Sequence, residues 1–209
     1  VARDDARARL GRARDEVLVV SVRRLVARMG LDTLLWSLVE MPAAQLVIVG
    51  DGPERQYLEE LADDLGVRER VTFAGVVSDE ERDYWLSAAS VVALPSLALE
   101  GFGLVALEAL AQGTPVVASR LGGLVDAASL SPFITLVTPS VVGEWVDALS
   151  EVSDRHDDAL EVAASISNQT WARVAQLHVE YVYRPSMYSQ TPRQLVVLDH
   201  TAKNSGGEL

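Results

Sequence analysis

Six short apolar runs, separated by stretches with helical spacing, constrain the fold of this 209-residue chain more than any other feature of its sequence. Most of the runs are continuously apolar and do not alternate, which is typical of strands buried on both faces of a parallel sheet. They cover residues 17–22, 46–49, 71–73, 91–94, 116–119 and 134–137. Helical spacing of apolar residues predicts helices between them, at 31–40, 54–65, 80–89, 104–112 and 142–152. The pattern therefore predicts an α/β fold, a Rossmann-like parallel sheet of about six strands with helices on both faces.

The same pattern divides the chain into segments. Residues 17–152 contain all six runs and are predicted to form one Rossmann-like domain. Residues 1–16 are polar and are interpreted as a linker or a domain boundary. Beyond residue 152 the pattern loosens, and residues 153–183 are predicted to form C-terminal helices, one of them over 169–182. The polar tail at 184–209 is expected to be loosely ordered or docked as an added strand.

The charge balance limits the ligands that this domain can bind. With a formal net charge of −12, the chain repels nucleic acid and anionic lipid, so no nucleic-acid partner is expected. Any phosphate-bearing ligand must be held by a local concentration of positive charge. Lys203, near the end, is the only lysine, so each cation available to the folded core is an arginine or a histidine.

Three features bear on cellular location. No apolar run approaches the roughly 18 to 20 residues that are needed to span a bilayer, and the first residues lack the apolar middle of a signal peptide. The chain contains no cysteine, which agrees with a reducing compartment. The sequence therefore predicts a cytoplasmic protein.

The loop after the fourth apolar run carries the most informative motif. Glu100 is followed by Gly101-Phe102-Gly103, which leads directly into a predicted helix that contains Glu108. Carboxylates eight residues apart lie within about a quarter turn of one helical face, so both can point into one cleft and accept hydrogen bonds from sugar hydroxyls. In the alternative interpretation, Glu100 only stabilises the helix start, Glu108 is a solvated helix residue and the glycines form a turn.

The stretch 46–123, from LVIVGDGPE through EGFGLVALEALAQGTPVV to ASRLGG, resembles the donor-binding domain of the GT4 family of retaining glycosyltransferases, motif after motif in the same order. The resemblance extends over about residues 17–182 and is specific for the superfamily rather than for a substrate. It implies the C-terminal half of a two-domain GT-B fold, which binds a UDP-, GDP- or ADP-sugar. It also implies an N-terminal acceptor-binding domain outside this chain, through which a membrane or lipid acceptor is one alternative. The resemblance implies no cofactor and no metal ion.

The resemblance assigns roles to the residues of the motif. Glu100 and Glu108 match the two glutamates of the family's E-x7-E motif, the first near the hydroxyls of the donor sugar and the second on the ribose. Phe102 and Gly103 match positions whose backbone amides face the donor sugar or its phosphates. Glu100 is accordingly a predicted catalytic residue, and the other three are predicted to bind the donor.

Further matches lie in the neighbouring loops. Arg24 matches the arginine that pairs with the donor diphosphate, and it is the second predicted catalytic residue. Gly75 and Val76 match a segment that lies against the nucleobase. Gly122 and Gly123 match a glycine pair near the phosphates.

One expected cation is absent. Met29 stands where the family usually has a lysine, so a second positive charge on the diphosphate must come from Arg23, Arg28 or Arg120. Arg28 is included among the predicted donor-binding residues, and Arg23 stands where the family commonly has glycine. The loop after Gly123 also lacks the proline and glutamate that usually follow.

The resemblance implies that the full-length protein is a retaining glycosyltransferase and that this chain alone does not transfer sugar. The alternative is a catalytically lapsed domain that acts as a scaffold or nucleotide-binding module. A dinucleotide-dependent dehydrogenase is disfavoured because no G-x-G-x-x-G follows the first run. A nucleotide-sugar epimerase on the same fold remains a further alternative.

Overall fold

A six-stranded parallel sheet in the order β3-β2-β1-β4-β5-β6 forms the centre of the computed structural model, which describes residues 2–154 and 158–166. The strands are β1 (Val17–Val22), β2 (Ala44–Val49), β3 (Val71–Gly75), β4 (Val91–Leu94), β5 (Val116–Ser119) and β6 (Ile134–Val137). Four of the six have the predicted bounds, while β2 begins two residues earlier and β3 ends two residues later than predicted. The predicted Rossmann-like fold class is confirmed.

Eight helices of the described residues cover the sheet. They are α1 (Arg3–Arg9), α2 (Leu31–Glu40), α3 (Arg55–Asp64), α4 (Asp79–Ala88), α5 (Leu104–Ala111), α6 (Gly123–Ala128), α7 (Val142–Asp154) and α8 (Ala159–Ala164). One face of the sheet packs against α2, α3 and α7, and the other packs against α1, α4, α5, α6 and α8. Both faces are therefore covered.

Successive strand residues supply the two cores. Leu18 and Val20 of β1 belong to the cluster under α4 and α5, while Val19 belongs to the cluster under α2 and α7. This arrangement follows from the alternation of side chains along a strand. Because both faces are buried, every position of the strand must be apolar or small, which explains the continuous apolar runs.

Residues 1–16 differ from the linker that was expected there. They contain α1, whose Ala6 and Arg7 are buried. Arg7 Nε donates a hydrogen bond to Ala88 O at 2.8 Å, and Arg7 Nη2 donates to Ser90 Oγ at 3.0 Å. The sequence pattern missed this helix because its anchor is a buried arginine rather than an apolar stripe.

Several expectations concern the C-terminal part. The helix α8 lies in the segment where C-terminal helices are predicted. The predicted helix over 169–182 and the tail at 184–209 lie outside the described residues. None of the helices in the described part of the chain is long and apolar enough to cross a membrane.

The strand order creates a crevice at the carboxyl edge of the sheet. From β1, the chain first adds β2 and β3 on one side and then crosses over to add β4, β5 and β6 on the other. The loops after β1 and β4 therefore leave the sheet in opposite directions, and ligands of doubly wound sheets bind in the space between such loops. Arg23 and Arg24 follow β1, and Ser96 and Glu100 lie in the loop after β4.

Candidate functional site

A cavity of about 350 Å³ opens at the carboxyl ends of β1 and β2, beside the start of α4. Its wall comes from the ends of these strands, the loops that follow them, the segment after β3 and α4. It includes Val22, Arg23, Arg24, Gly50, Asp51, Val76 and Arg82. Two of the predicted site residues, Arg24 and Val76, are therefore brought together in one cavity.

Three arginines, Arg23, Arg24 and Arg82, line this cavity together with the carboxylates of Asp51 and Asp79. Arg24 is exposed, and its guanidinium makes no hydrogen bond or ion pair with another described residue. Arg82 donates hydrogen bonds to Asp79 at 3.1 Å and to Asp83 at 3.3 Å. Arg23 and Arg82 pair with carboxylates, so Arg24 is the arginine of this wall whose charge no described carboxylate offsets. Its guanidinium group matches the spacing of phosphate oxygens, in a chain with a net charge of −12.

Glu100 pairs with Arg23 across the crevice. Arg23 Nη2 and Ser96 Oγ both donate hydrogen bonds to Glu100 Oε2. The side chains of Arg23 and Glu100 are only 6% and 12% exposed. Burial lowers the pKa of the Arg23 guanidinium below its ordinary value, and the neighbouring carboxylate partly offsets this effect. The two side chains thus hold each other in a partly dehydrated position.

Glu108 faces another arginine of the same cavity. Its Oε2 lies 3.8 Å from Arg82 Nε, and that nitrogen is buried without a hydrogen-bond partner among the described residues. The two glutamates of the E-x7-E motif therefore each approach a guanidinium of the cavity wall, Glu100 at Arg23 and Glu108 at Arg82. Their roles toward a ligand stay predictions.

Gly122 and Gly123 pack against the backbone of the Glu100 loop. A Cβ atom on Gly122 would lie 2.6 Å from Glu100 O, and one on Gly123 would lie 1.6 Å from Gly101 O. The Gly123 N–H donates to Glu100 O at 3.3 Å. The structure thus gives this glycine pair a packing role, which is independent of the phosphate role that the sequence predicts.

Gly103 is required by two features. It has a φ of 72°, in the left-handed region that favours glycine, and an added Cβ would lie 2.5 Å from Leu124 Cδ2. It immediately precedes the first residue of α5, and no side chain caps that helix start. Phe102, immediately before it, is 41% exposed. Neither Phe102 nor Gly103 lines the 350 Å³ cavity.

The predicted nucleobase segment lies at the end of β3. Gly75 O accepts a hydrogen bond from Gly50 N at 2.7 Å, which joins the ends of β2 and β3. The next side chain, Val76, is 82% exposed at the cavity wall. The exposed apolar surface at this point suits an aromatic ring.

The arginines considered as replacements for the missing lysine occupy different places. Met29 is buried. Arg28 Nη1 donates to Leu99 O at 3.0 Å, and Arg120 Nη2 donates to Leu136 O at 3.0 Å. Neither lines the cavity, whereas Arg23 does. The structure therefore does not bring Arg28 together with Arg24.

Sequence reasoning missed Arg82 and Ser96. Arg82 lies in the acidic first turns of α4 and carries no motif of its own, so only the folded chain shows that it borders the cavity. Ser96 is fully buried, and its contact with Glu100 is a local hydrogen bond within a loop. Its position four residues before a motif glutamate is the one signal that the sequence offers.

An open parallel sheet with arginines gathered at the crevice of its carboxyl edge defines this chain as a Rossmann-like domain. The chain belongs to the family described as glycosyl transferases group 1, whose model matches residues 2–167. The predicted membership of a glycosyltransferase family is thereby confirmed.

Two relatives illustrate the similarity of sequence. The chain is 40% identical over 170 residues to the D-inositol 3-phosphate glycosyltransferase of Mycolicibacterium smegmatis, and the match covers 78% of this chain and 39% of that protein. It is 39% identical over 143 residues to an uncharacterized glycosyltransferase of Methanocaldococcus jannaschii, and this match covers 67% of this chain and 34% of that protein. The chain thus spans little more than a third of the length of these relatives.

Two solved structures share the fold. Sucrose-phosphate synthase from Thermosynechococcus elongatus superposes with a TM-score of 0.72 at 32% identity, over 88% of this chain and 49% of that one. HepE from Anabaena, in complex with UDP-glucose, superposes with a TM-score of 0.71 at 26% identity, over 88% of this chain and 52% of that one. In both cases the match covers about half of the larger protein.

Proposed function

We propose that this chain is the donor-binding domain of a retaining glycosyltransferase of the GT4 type, and that its 350 Å³ cavity receives the diphosphate of a nucleotide-activated sugar. The observation that carries the proposal is Arg24, whose exposed guanidinium at this cavity has no partner among the described residues of a strongly acidic chain. The relative HepE, whose structure contains UDP-glucose, supports a nucleotide sugar as the ligand class.

The described contacts favour a division of roles among the site residues. Arg24 has an exposed guanidinium without a partner in the described part of the chain, so it is the group best placed to bind phosphate oxygens. Glu100 binds a hydroxyl of the sugar, and Glu108 binds the ribose. Val76 lies against the base.

The reaction proposed for the full-length protein is sugar transfer with retention. The bond between the anomeric carbon and the diphosphate oxygen breaks, and its electron pair leaves with the nucleoside diphosphate. The acceptor hydroxyl bonds to the same face of the sugar and loses its proton to the departing phosphate. Arg24 stabilises the negative charge that develops on the leaving group, and such preorganised electrostatic stabilisation does not require a metal ion.

The acceptor site belongs, in this proposal, to a second domain. The solved relatives are about twice as long as the matched region, which supports a two-domain enzyme. The isolated chain is therefore expected to bind a donor nucleotide without transferring its sugar.

Calorimetric titration of the chain with UDP, GDP and ADP tests the proposal. We expect saturable binding of one nucleotide, weakened about ten- to a hundredfold by Arg24→Gln, because the variant loses a charge-assisted hydrogen bond to phosphate. Arg14→Gln is a matched control, since Arg14 is 80% exposed before β1, at the opposite edge of the sheet. The control is expected to bind like the unmodified chain.

Two results would count against the donor site. Absence of binding for all three nucleotides would favour the scaffold interpretation over a working donor domain. Equal loss of affinity in Arg24→Gln and Arg14→Gln would mean that net charge, and not a specific contact, determines binding.

A further inference from the structure

We propose that Arg23 and Ser96 are positioning residues for Glu100, which they hold by one carboxylate oxygen so that the other oxygen is presented to the sugar of the donor. This inference rests on the proposed function, because it assigns the contacts that prepare Glu100 for its ligand.

Two hydrogen-bond donors bind the same oxygen atom of the Glu100 carboxylate. Arg23 Nη2 and Ser96 Oγ both donate to Glu100 Oε2. Glu100 Oε1 accepts no hydrogen bond from the described residues, and it is not among the buried atoms that lack a partner. One oxygen of the carboxylate is therefore fixed, while the other is free to accept a hydrogen bond from a ligand hydroxyl.

Burial restricts the motion of this group. Ser96 is fully buried, and the Arg23 side chain is 6% exposed. The Glu100 side chain retains 12% exposure, which is consistent with one accessible oxygen. A carboxylate held in this way loses little conformational entropy when it binds a ligand.

The backbone on both sides of the pair is also fixed. A Cβ on Gly50 would lie 1.9 Å from Arg23 O, and one on Gly122 would lie 2.6 Å from Glu100 O. The Arg23 N–H donates to Val49 O at 2.8 Å. Neighbouring loops therefore support each end of the Arg23–Glu100 pair through glycines that leave room for the opposing carbonyl.

The pair is poorly explained as a stabilising contact alone. Arg23 Nη1 is buried without a hydrogen-bond partner among the described residues, so the arginine is dehydrated without full compensation. Apolar residues of similar size often stabilise a protein as well as a buried ion pair does. Keeping Glu100 in one orientation is a function that an apolar pair does not provide.

The test compares a nucleotide with its sugar derivative. For the nucleotide that the chain binds, we measure the affinity ratio between the nucleotide sugar and the nucleotide: UDP-glucose and UDP, GDP-mannose and GDP, or ADP-glucose and ADP. Glu100→Gln, Arg23→Gln and Ser96→Ala are each expected to lower the affinity for the nucleotide sugar while leaving that for the nucleotide unchanged. Removal of the charged contact predicts a loss of about tenfold or more for Glu100→Gln and Arg23→Gln.

Two further variants separate positioning from a structural role. Arg23→Lys retains the charge and is expected to restore part of the affinity ratio between the nucleotide sugar and the nucleotide that Arg23→Gln loses. The double variant Arg23→Gln with Glu100→Gln is expected to lose no more than Glu100→Gln alone, because both substitutions remove the same interaction. Arg24→Gln, in contrast, is expected to weaken both ligands by the same factor.

The outcomes distinguish this inference from the proposed function. If no nucleotide binds to the unmodified chain, the proposed donor site fails and the inference fails with it. If a nucleotide binds but its sugar adds no affinity, or if Arg23→Gln weakens both ligands equally, the donor site stands and the positioning role is overturned. Equal affinities of Arg23→Gln and the unmodified chain for both ligands would overturn it as well.

Discussion

Two glycines at the carboxyl edge of the sheet differ in whether a side chain would fit in their place. Gly101 and Gly123 have very different surroundings although their loops touch. A Cβ on Gly101 would meet nothing within 4 Å, while one on Gly123 would lie 1.6 Å from Gly101 O and 2.7 Å from Phe102 Cα. The sequence marks both as glycines of a motif, but only the folded chain shows which one is sterically required.

Gly123→Ala is therefore expected to destabilise the protein and to displace the Glu100 loop. Because the clash is with backbone atoms, relief requires a shift of the loop, and overpacking of this kind costs about 1–3 kcal/mol. Urea unfolding measures the loss, with Gly101→Ala as the control that is expected to change stability by less than about 1 kcal/mol. Equal stability of the two variants would contradict the packing role of Gly123.

The sequence does not show which side chains of the site contact each other. The E-x7-E motif and Arg24 predict the chemistry of the site from residue types and order. Arg23 and Glu100, however, are 77 positions apart, and no local pattern connects them. Their contact arises from strand order, which places the loops after β1 and β4 side by side.

Among the elements, those with a strong apolar pattern were predicted closely. The bounds of α2 and of four strands agree with the sequence prediction. These segments are buried, so each carries a clear apolar pattern: helical spacing in α2 and continuous apolar runs in the strands. The short helix α6 was not predicted. It has only six residues, and the glycine at its start gives no capping signal.

The start of α7 depends on a carboxylate. Glu144 Oε2 accepts a hydrogen bond from the Thr138 N–H at 2.7 Å. This bond holds the pKa of Glu144 below its ordinary value. The folded state therefore binds this proton less readily than the unfolded state does.

This shift predicts a pH-dependent contribution to stability. The contribution is fully present above the ordinary glutamate pKa of about 4.3, and it is lost as the pH falls through the lowered pKa of the folded state. Glu144→Gln is expected to be less stable than the unmodified chain at neutral pH, with a difference that shrinks in acid. Urea unfolding between neutral pH and acid measures this difference. Glu151→Gln, at an exposed position on the same helix, is the control, and matching pH profiles for the two variants would refute the prediction.

At the scale of the whole molecule, the domain extends to the first residues of the chain. The family model also begins at residue 2, which agrees with a helix α1 that packs as part of the domain. Arg7 makes four hydrogen bonds: two connect α1 to the body of the domain, at Ala88 O and Ser90 Oγ, and two go to the carbonyls of residues 13 and 14 just after the helix. The polar composition of this segment gives no sign of its role, because a guanidinium, and not an apolar stripe, binds it to residues far along the chain.

Arg7→Met is expected to lower the free energy of unfolding by about 2–4 kcal/mol, because it leaves the buried Ala88 carbonyl and the part-buried carbonyls of residues 13 and 14 without their donor. The control is Arg9→Met on the same helix, where a side chain that is 61% exposed pairs with Glu80, and there the loss is expected to stay below about 1 kcal/mol. Chemical denaturation of both variants checks the difference. Similar losses would show that α1 contributes little through its buried arginine.

The contacts around Glu100 join four loops that follow separate strands. Gly50 supports Arg23, Arg23 binds Glu100, and Gly122 supports Glu100, so the loops after β1, β2, β4 and β5 meet around one carboxylate. The glycines meet backbone atoms, whereas Arg23 and Glu100 meet through their side chains. Over evolutionary time, Arg23 and Glu100 are therefore expected to change together, because a lineage that replaces Arg23 removes the partner of Glu100. Glycine at position 50 is expected to persist, because a Cβ there would lie 1.9 Å from the Arg23 carbonyl oxygen whatever the side chain at position 23.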